Sequence, residues 1–152
     1  MAKTDKKTDA ARSALIAGLN EDLAREYQAI IAYVVYSQVL TGAQYMTIAK
    51  ELEVHAGEEL QHALTIARHI DYLGGTPTVT PKPVAPPKDA KQMLRADLDN
   101  ETDTIAQYRK RLHQAEAADE FAIAEDLREI LRQEQEHQID LATALGIPVP
   151  RR

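Results

Sequence analysis

Glu59-Leu60-Gln61-His62 and Glu134-Gln135-Glu136-His137 are one pattern, Glu-x-x-His, repeated after 75 residues. Residues three apart share a face of an α-helix, so each stretch directs a carboxylate and an imidazole at one point. Each is half of a metal site.

The residues around the first copy form an apolar stripe spaced by threes and fours: Ile48, Leu52, His55, Glu59, His62, Ile66, Ile70, Leu73. Such a stripe is the buried face of an amphipathic helix, closed here by Gly74-Gly75. Upstream, a helix is predicted over residues 9–40, capped by Thr8 or Asp9, with the stripe Leu15, Leu19, Leu23, Glu26, Ile30, Tyr33, Ser37, Leu40 and an end at Thr41-Gly42. Gly18 is expected to fray or kink its first turns. The short break makes the two helices an antiparallel hairpin.

A third helix is expected from about Lys88 to Ala117, with the stripe Leu94, Leu98, Glu101, Ile105, Tyr108, Leu112, Ala115. Asp119 can cap a fourth, whose stripe is Ile123, Leu127, Ile130, Glu134, His137, Leu141, Ala144 before Gly146, Pro148 and Pro150 stop it. Between the hairpins, residues 74–87 hold five of the 7 prolines. At about 3.1 Å per residue they reach roughly 43 Å, against about 42 Å for a 28-residue helix. A short turn would serve an up-down-up-down bundle, so a connection this long predicts a crossover that leaves the second and third helices parallel. The expected architecture is all-α: a flexible lysine-bearing arm (1–8), a four-helix bundle (9–146) with crossover 74–87, and a short tail (147–152).

The charged residues on the four stripes are Glu26, Glu59, Glu101 and Glu134, joined by His55, His62 and His137. Glu26 lies sixteen residues before Gly42 and Glu59 seventeen after it; Glu101 lies seventeen before Ala118 and Glu134 sixteen after it. The glutamates of each hairpin therefore sit level, about 24 Å from the turn at about 1.5 Å per residue. Buried without partners, each such charge forfeits several kcal/mol of hydration. Two divalent cations would balance the four carboxylates; buried ion pairs without metal are the alternative. Glu and His suit iron or manganese, and the set of one Glu from each of two helices plus Glu-x-x-His from each of the others matches, rather than derives, that of di-metal carboxylate bundles.

Composition narrows the chemistry. Cysteine is absent, which removes disulfides, thiolate nucleophiles, Fe–S clusters and Cys-ligated zinc. A net charge of -6 argues against a nucleic-acid-binding body, although Lys3, Lys6 and Lys7 could give the arm weak contact with DNA. There is no leader-like or membrane-spanning apolar run, so a cytoplasmic protein without membrane contact is expected.

The chain resembles the ferritin-like di-iron superfamily, and bacterioferritins most closely, from about Leu19 to Leu145. The resemblance rests on Arg25-Glu26-Tyr27-Gln28-Ala29-Ile30, Glu59-Leu60-Gln61-His62-Ala63, Ala96-Asp97-Leu98-Asp99-Asn100-Glu101 and Glu129-Ile130-Leu131-Arg132-Gln133-Glu134-Gln135-Glu136-His137. It implies two iron ions per subunit, with manganese or zinc as substitutes. Glu59 and Glu134 would bridge them, Glu26 with His62 would complete one, and Glu101 with His137 the other. It also implies ferroxidase chemistry, in which Fe(II) is oxidised by dioxygen or peroxide and stored as ferric mineral in a homo-oligomeric cage. Tyr33 matches the tyrosine beside the di-iron centre, able to supply an electron or a hydrogen bond, and Tyr108 is its mate; plain core packing suits both.

Two departures matter. Bacterioferritins ligate haem through a methionine where this chain has Leu60, so no haem is expected. No fifth helix follows Leu145, which makes a Dps-like dodecamer credible beside the 24-mer. Off the stripes, Tyr27, Ile31, Val34, Val35, Tyr45 and Tyr72 suggest oligomer contacts. His55 reads as a hydrogen-bonded core histidine, with a role behind the ligands or as an extra ligand as the alternatives. Glu58 reads as solvated surface or part of an iron route, and His69 and His113 carry no signal. Other functional readings are a DNA-protecting Dps-like protein and a peroxide-consuming relative of rubrerythrin or manganese catalase.

Overall fold

A computed structural model describes residues 2–151, with side chains from residue 6 onward; Met1 and Arg152, in the expected arm and tail, lie outside the described residues. Four helices, α1 (Ala2–Val39), α2 (Met46–Tyr72), α3 (Ala90–Ala117) and α4 (Phe121–Leu145), make up the fold, with one short 3-10 turn at Ala43–Tyr45 before α2. The all-α expectation holds.

Pairs across the bundle give its register. Between α1 and α3, Tyr33 meets Glu101, Glu26 meets Tyr108 and Asp22 meets Arg111. Between α2 and α4, His55 meets Asp140, His62 meets Gln133 and His69 meets Asp126. Both series run in opposite directions, and each hairpin is itself antiparallel, so α2 and α3 are parallel. The crossover makes this possible by climbing alongside α1. Asn20 bonds Thr76 and Thr78, Ala24 O accepts from Lys82 N, Gln28 bonds Pro83 O, and Tyr36 donates to Ala85 O at 2.5 Å. A proline-rich strand lacks many donors of its own, and α1 side chains satisfy its carbonyls.

The core is two aliphatic plugs with a polar layer between them. Leu15, Leu19, Leu23, Ile66, Ile70 and Leu127 belong to one plug; Ile48, Leu52, Leu94, Leu98 and Leu141 belong to the other. Each such side chain contributes about 1.5–3 kcal/mol on burial, which offsets the cost of a layer of buried charge.

Several local expectations change. α1 begins at Ala2, so the expected flexible arm is helical backbone and Thr8 and Asp9 lie inside a helix rather than capping one. The opening residues are rich in helix-formers and free of Gly and Pro until Gly18. From Lys6 to Ala14 all are exposed, so this stretch projects beyond the first core residue, Leu15. Asp89 caps α3 by accepting from Gln92 N at 2.9 Å. Asp119 does not cap α4; it adopts a left-handed turn (φ 59) and Glu120 takes the cap position without a side-chain bond. Gly146 closes α4 at φ 67, a conformation glycine adopts without strain. Among the off-stripe residues Ile31, Val34 and Tyr72 are exposed, whereas Tyr27, Val35 and Tyr45 pack against the chain's own core.

Candidate metal centre

Four helices deliver six groups to the polar layer: Glu26 from α1, Glu59 and His62 from α2, Glu101 from α3, Glu134 and His137 from α4. None is more than 3% exposed. They form two overlapping sets, Glu26-Glu59-His62-Glu134 and Glu59-Glu101-Glu134-His137, with the candidate donor atoms of each set within 4.8 Å of one another. Glu59 and Glu134 belong to both sets. In one half, His62 Nδ1 lies 2.8 Å from Glu59, 3.4 Å from Glu134 and 3.6 Å from Glu26. In the other, His137 Nδ1 lies 2.9 Å from Glu59, 3.2 Å from Glu134 and 3.8 Å from Glu101.

The outer ring repeats the symmetry. Tyr33 of α1 donates its hydroxyl to Glu101 of α3, and Tyr108 of α3 donates to Glu26 of α1. Each tyrosine thus orients the lone glutamate of the opposite hairpin. Burial, then the facing glutamate, pushes both phenols well above their ordinary pKa, so they stay protonated donors. Behind the imidazoles, His62 Nε2 meets Gln133 Oε1 at 2.5 Å and His137 Nε2 meets Glu58 Oε2 at 2.6 Å. A partner on the far nitrogen fixes each ring with Nδ1 toward the centre.

Burial and the charges of Glu26 and Glu101 push Glu59 up to about 8, and burial with Glu101, Glu59 and Glu26 pushes Glu134 well up. Burial also works to raise Glu26 and Glu101, but hydrogen bonds, from His62 and Glu59 to the first and from His137 to the second, outweigh it and hold both below the usual carboxylate value. For His62 and His137 burial opposes the charged form, yet the surrounding glutamates raise both rings above the ordinary imidazole value. Glu59 and Glu134 are thus biased toward their protonated form, whereas Glu26, Glu101 and both imidazoles are biased toward their charged form.

His55 is a buried, hydrogen-bonded histidine, its Nε2 3.1 Å from Asp140 Oδ2. It also stacks on His137 (centroids 4.0 Å apart) and meets Tyr33 edge-on. Burial and His137 lower its pKa. Glu58, open to a surface reading from sequence, is the partner of His137. Sequence reasoning missed Gln133; its signal was position, since Gln133 stands 75 residues after Glu58, directly before Glu134 as Glu58 stands before Glu59. It also missed the buried pair Arg111–Asp22 (2.7 Å) and the buried Asp97, whose Oδ2 has no hydrogen-bond partner. His69 bonds Asp126 at 2.7 Å and exposed His113 lies 3.9 Å from Glu116, both away from the centre.

Four antiparallel-paired helices with a central layer of four glutamates and two histidines have the fold and donor set of the carboxylate-rich bundles, a layer compatible with a pair of metal ions. A ferritin-like domain model matches residues 16–147, and the chain belongs to the ferritin-like family. It is 27% identical over 139 residues to a bacterioferritin of Brucella melitensis biotype 1, covering 87% of this chain and 86% of that protein. It is 29% identical over 140 residues to a bacterial ferritin of Paramagnetospirillum magnetotacticum, covering 90% and 85%. Among solved structures it resembles ferritin-like di-iron-carboxylate proteins from Bacillus anthracis str. Ames (TM-score 0.86, 35% identity, 89% of this chain and 97% of that one). It also resembles a dodecameric thioferritin, a bacterioferritin-related protein from Bacteroides fragilis (TM-score 0.83, 27% identity, 96% and 94%).

Proposed function

We propose that this protein is a ferroxidase that stores or detoxifies iron, with Glu59 and Glu134 bridging two Fe(II), Glu26 and His62 completing one position, and Glu101 and His137 the other. One observation carries the reading. At the centre of an apolar bundle, Glu26 Oε2, Glu101 Oε2 and both oxygens of Glu134 have no hydrogen-bond partner, and the single Nδ1 of His137 is shared among Glu59, Glu134 and Glu101 at 2.9, 3.2 and 3.8 Å. A purely structural ion-pair network would satisfy such atoms. Metals fit them: the oxygen and nitrogen donors suit iron, manganese or zinc, and four carboxylates balance two divalent ions.

The substrate is Fe(II). Two ions give up one electron each, and the pair reduces either hydrogen peroxide to two waters or dioxygen to hydrogen peroxide, with two protons consumed in either case. The chain holds the two positions close, excludes bulk water with the plugs above and below, and fixes the terminal glutamates through Tyr33 and Tyr108. The ferric product then passes to a cage of copies of this chain in the cytoplasm, for which exposed Ile31, Val34, Leu60 and Leu64 offer apolar contact surface. Leu60 lacks the thioether that would ligate haem between subunits.

Aerobic Fe(II), added to apoprotein at two ions per chain, should be oxidised much faster than in buffer, and Glu59→Ala should abolish the difference. Oxidation at the buffer rate would sink the reading. Native mass with metal analysis gives the cage size and the ion bound, and a Soret band in the purified protein would contradict the absence of haem.

A further inference from the structure

We propose that Glu51, His55 and Asp140 form a third divalent-cation site, separate from the paired centre and facing a surface cavity at the α2–α4 edge. Candidate donor atoms of these three residues lie within 4.8 Å of one another, none of them shared with the six central groups. Glu51 is part-buried on α2 and Asp140, on α4, keeps 43% of its side chain exposed, while His55 is only 2% exposed. The cluster thus crosses from solvent into the core.

His55 supplies the observation that separates this cluster from an ordinary acidic patch. Its ring is buried, one nitrogen reaches Asp140, and the other, Nδ1, has no hydrogen-bond partner. An imidazole kept merely for packing would ordinarily satisfy both nitrogens or be replaced by an apolar side chain. The internal repeat makes that comparison directly: 75 residues after His55 stands Ile130, which fills the equivalent position with hydrocarbon. Only one half of the pseudo-symmetric bundle carries the histidine, and it is the half where α2 and α4 also place Glu51 and Asp140.

Access comes from a cavity of about 260 Å³ whose wall includes Glu51 and Asp140 together with Gln44, Thr47, Thr143 and the apolar Ile48 and Ala144; His55 lies behind Asp140, outside the cavity wall. It is wide enough for a hydrated ion, and the two carboxylates on its wall are the donors an ion would meet, with water filling the remaining positions. One imidazole and two carboxylates with open positions suit Fe(II), Mn(II) or Zn(II). The same His55 ring stacks on His137, so an ion held here stands one imidazole away from the paired centre.

Zn(II) is the probe. Equilibrium dialysis of metal-free protein should give three ions per chain for wild type and two for Glu51→Gln/Asp140→Asn, whose changes avoid the buried layer. A Zn(II)-soaked crystal should show an anomalous peak at about 2.0–2.1 Å from a His55 ring nitrogen. Two ions per chain in the wild type, or three in both proteins, would overturn the site. Since neither measurement follows oxidation, the outcome is separate from that of the ferroxidase reading. His55→Ala, with melting temperature as its folding control, should lose the same single ion.

Discussion

His137 and Glu58 are joined through the ring nitrogen that faces away from the centre: Nε2 lies 2.6 Å from Glu58 Oε2, while Nδ1 faces Glu59, Glu101 and Glu134. His62 has a neutral amide, Gln133, in the same place. The two halves are therefore electronically unequal, because a carboxylate behind an imidazole makes it a stronger donor than an amide does. Wild-type protein should bind two Co(II) at the centre with distinct affinities, the tighter in the His137 half. Glu58→Gln should weaken that half by about 10–100-fold and bring the two constants together. A calorimetric titration that leaves two well-separated constants in the variant would contradict this.

Metal loading should release protons, because ligand carboxylates and imidazoles with raised pKa values must give theirs up to bind an ion. His62, His137, Glu59 and Glu134 all have raised pKa values, Glu59 up to about 8, so these are the groups whose protons a bound ion displaces. About four protons per chain should appear on adding two Zn(II), read in a pH-stat. The same groups set the stability of the metal-free chain. Glu59 has a folded pKa of about 8, above its unfolded value of about 4.5, so the contribution of its protonated form is complete below 4.5 and is lost as pH rises through 8. Apoprotein should lose stability to urea between about pH 5 and 8, and Zn(II)-loaded protein should not.

Gly18 marks where sequence reading and structure part. In the sequence it is a helix-weakening residue, expected to fray or kink α1. In the fold, Arg111 lies across it, and a Cβ there would collide with the Arg111 guanidinium. The guanidinium cannot swing away freely, since it bonds Asp22 at 2.7 Å and also Gln114. Gly18→Ala in a helix interior would ordinarily stabilise by about 1 kcal/mol; here it should lower the melting temperature instead. Arg111→Leu should cost about 3–5 kcal/mol by stranding Asp22, and adding Asp22→Leu should recover most of that loss in urea denaturation.

The stripes made the four helices, the long crossover and the six central groups readable, because each depends on spacing along one chain. Glu26 and Glu101 stood out as lone charges on apolar faces, and counting residues from the turns set them level. What was not readable depends on neighbours far apart in sequence. Arg111 and Asp22 are 89 residues apart, and nothing local in either helix says that they meet. Glu58 looks like a surface residue in sequence because it lies off the stripe; only the approach of α4 makes it the partner of His137. The start of α1 was misplaced for a different reason: Thr8 and Asp9 are good caps, but nothing before them interrupts the helix.

Asp97 is the 75-residue counterpart of Asp22, but the residue that would correspond to Arg111 is Tyr36, and Tyr36 gives its hydroxyl to Ala85 O in the crossover. The crossover's hydrogen bond with Tyr36 has no equivalent at Arg111, so it breaks the symmetry at this point, and Asp97 is left buried with Oδ2 unbonded. Burial first, then the charges of Glu101 and Glu59, push its pKa well above the ordinary aspartate value. With a raised folded pKa, the stabilising protonated state is fully favoured only below about 3.9 and is lost as pH rises through the folded value. Asp97→Asn removes that penalty with little change in shape. The variant should match wild type in urea denaturation at the lowest pH where both remain folded, and become progressively more stable than wild type toward pH 8. A pH-independent difference between the two would show instead that Asp97 has a partner.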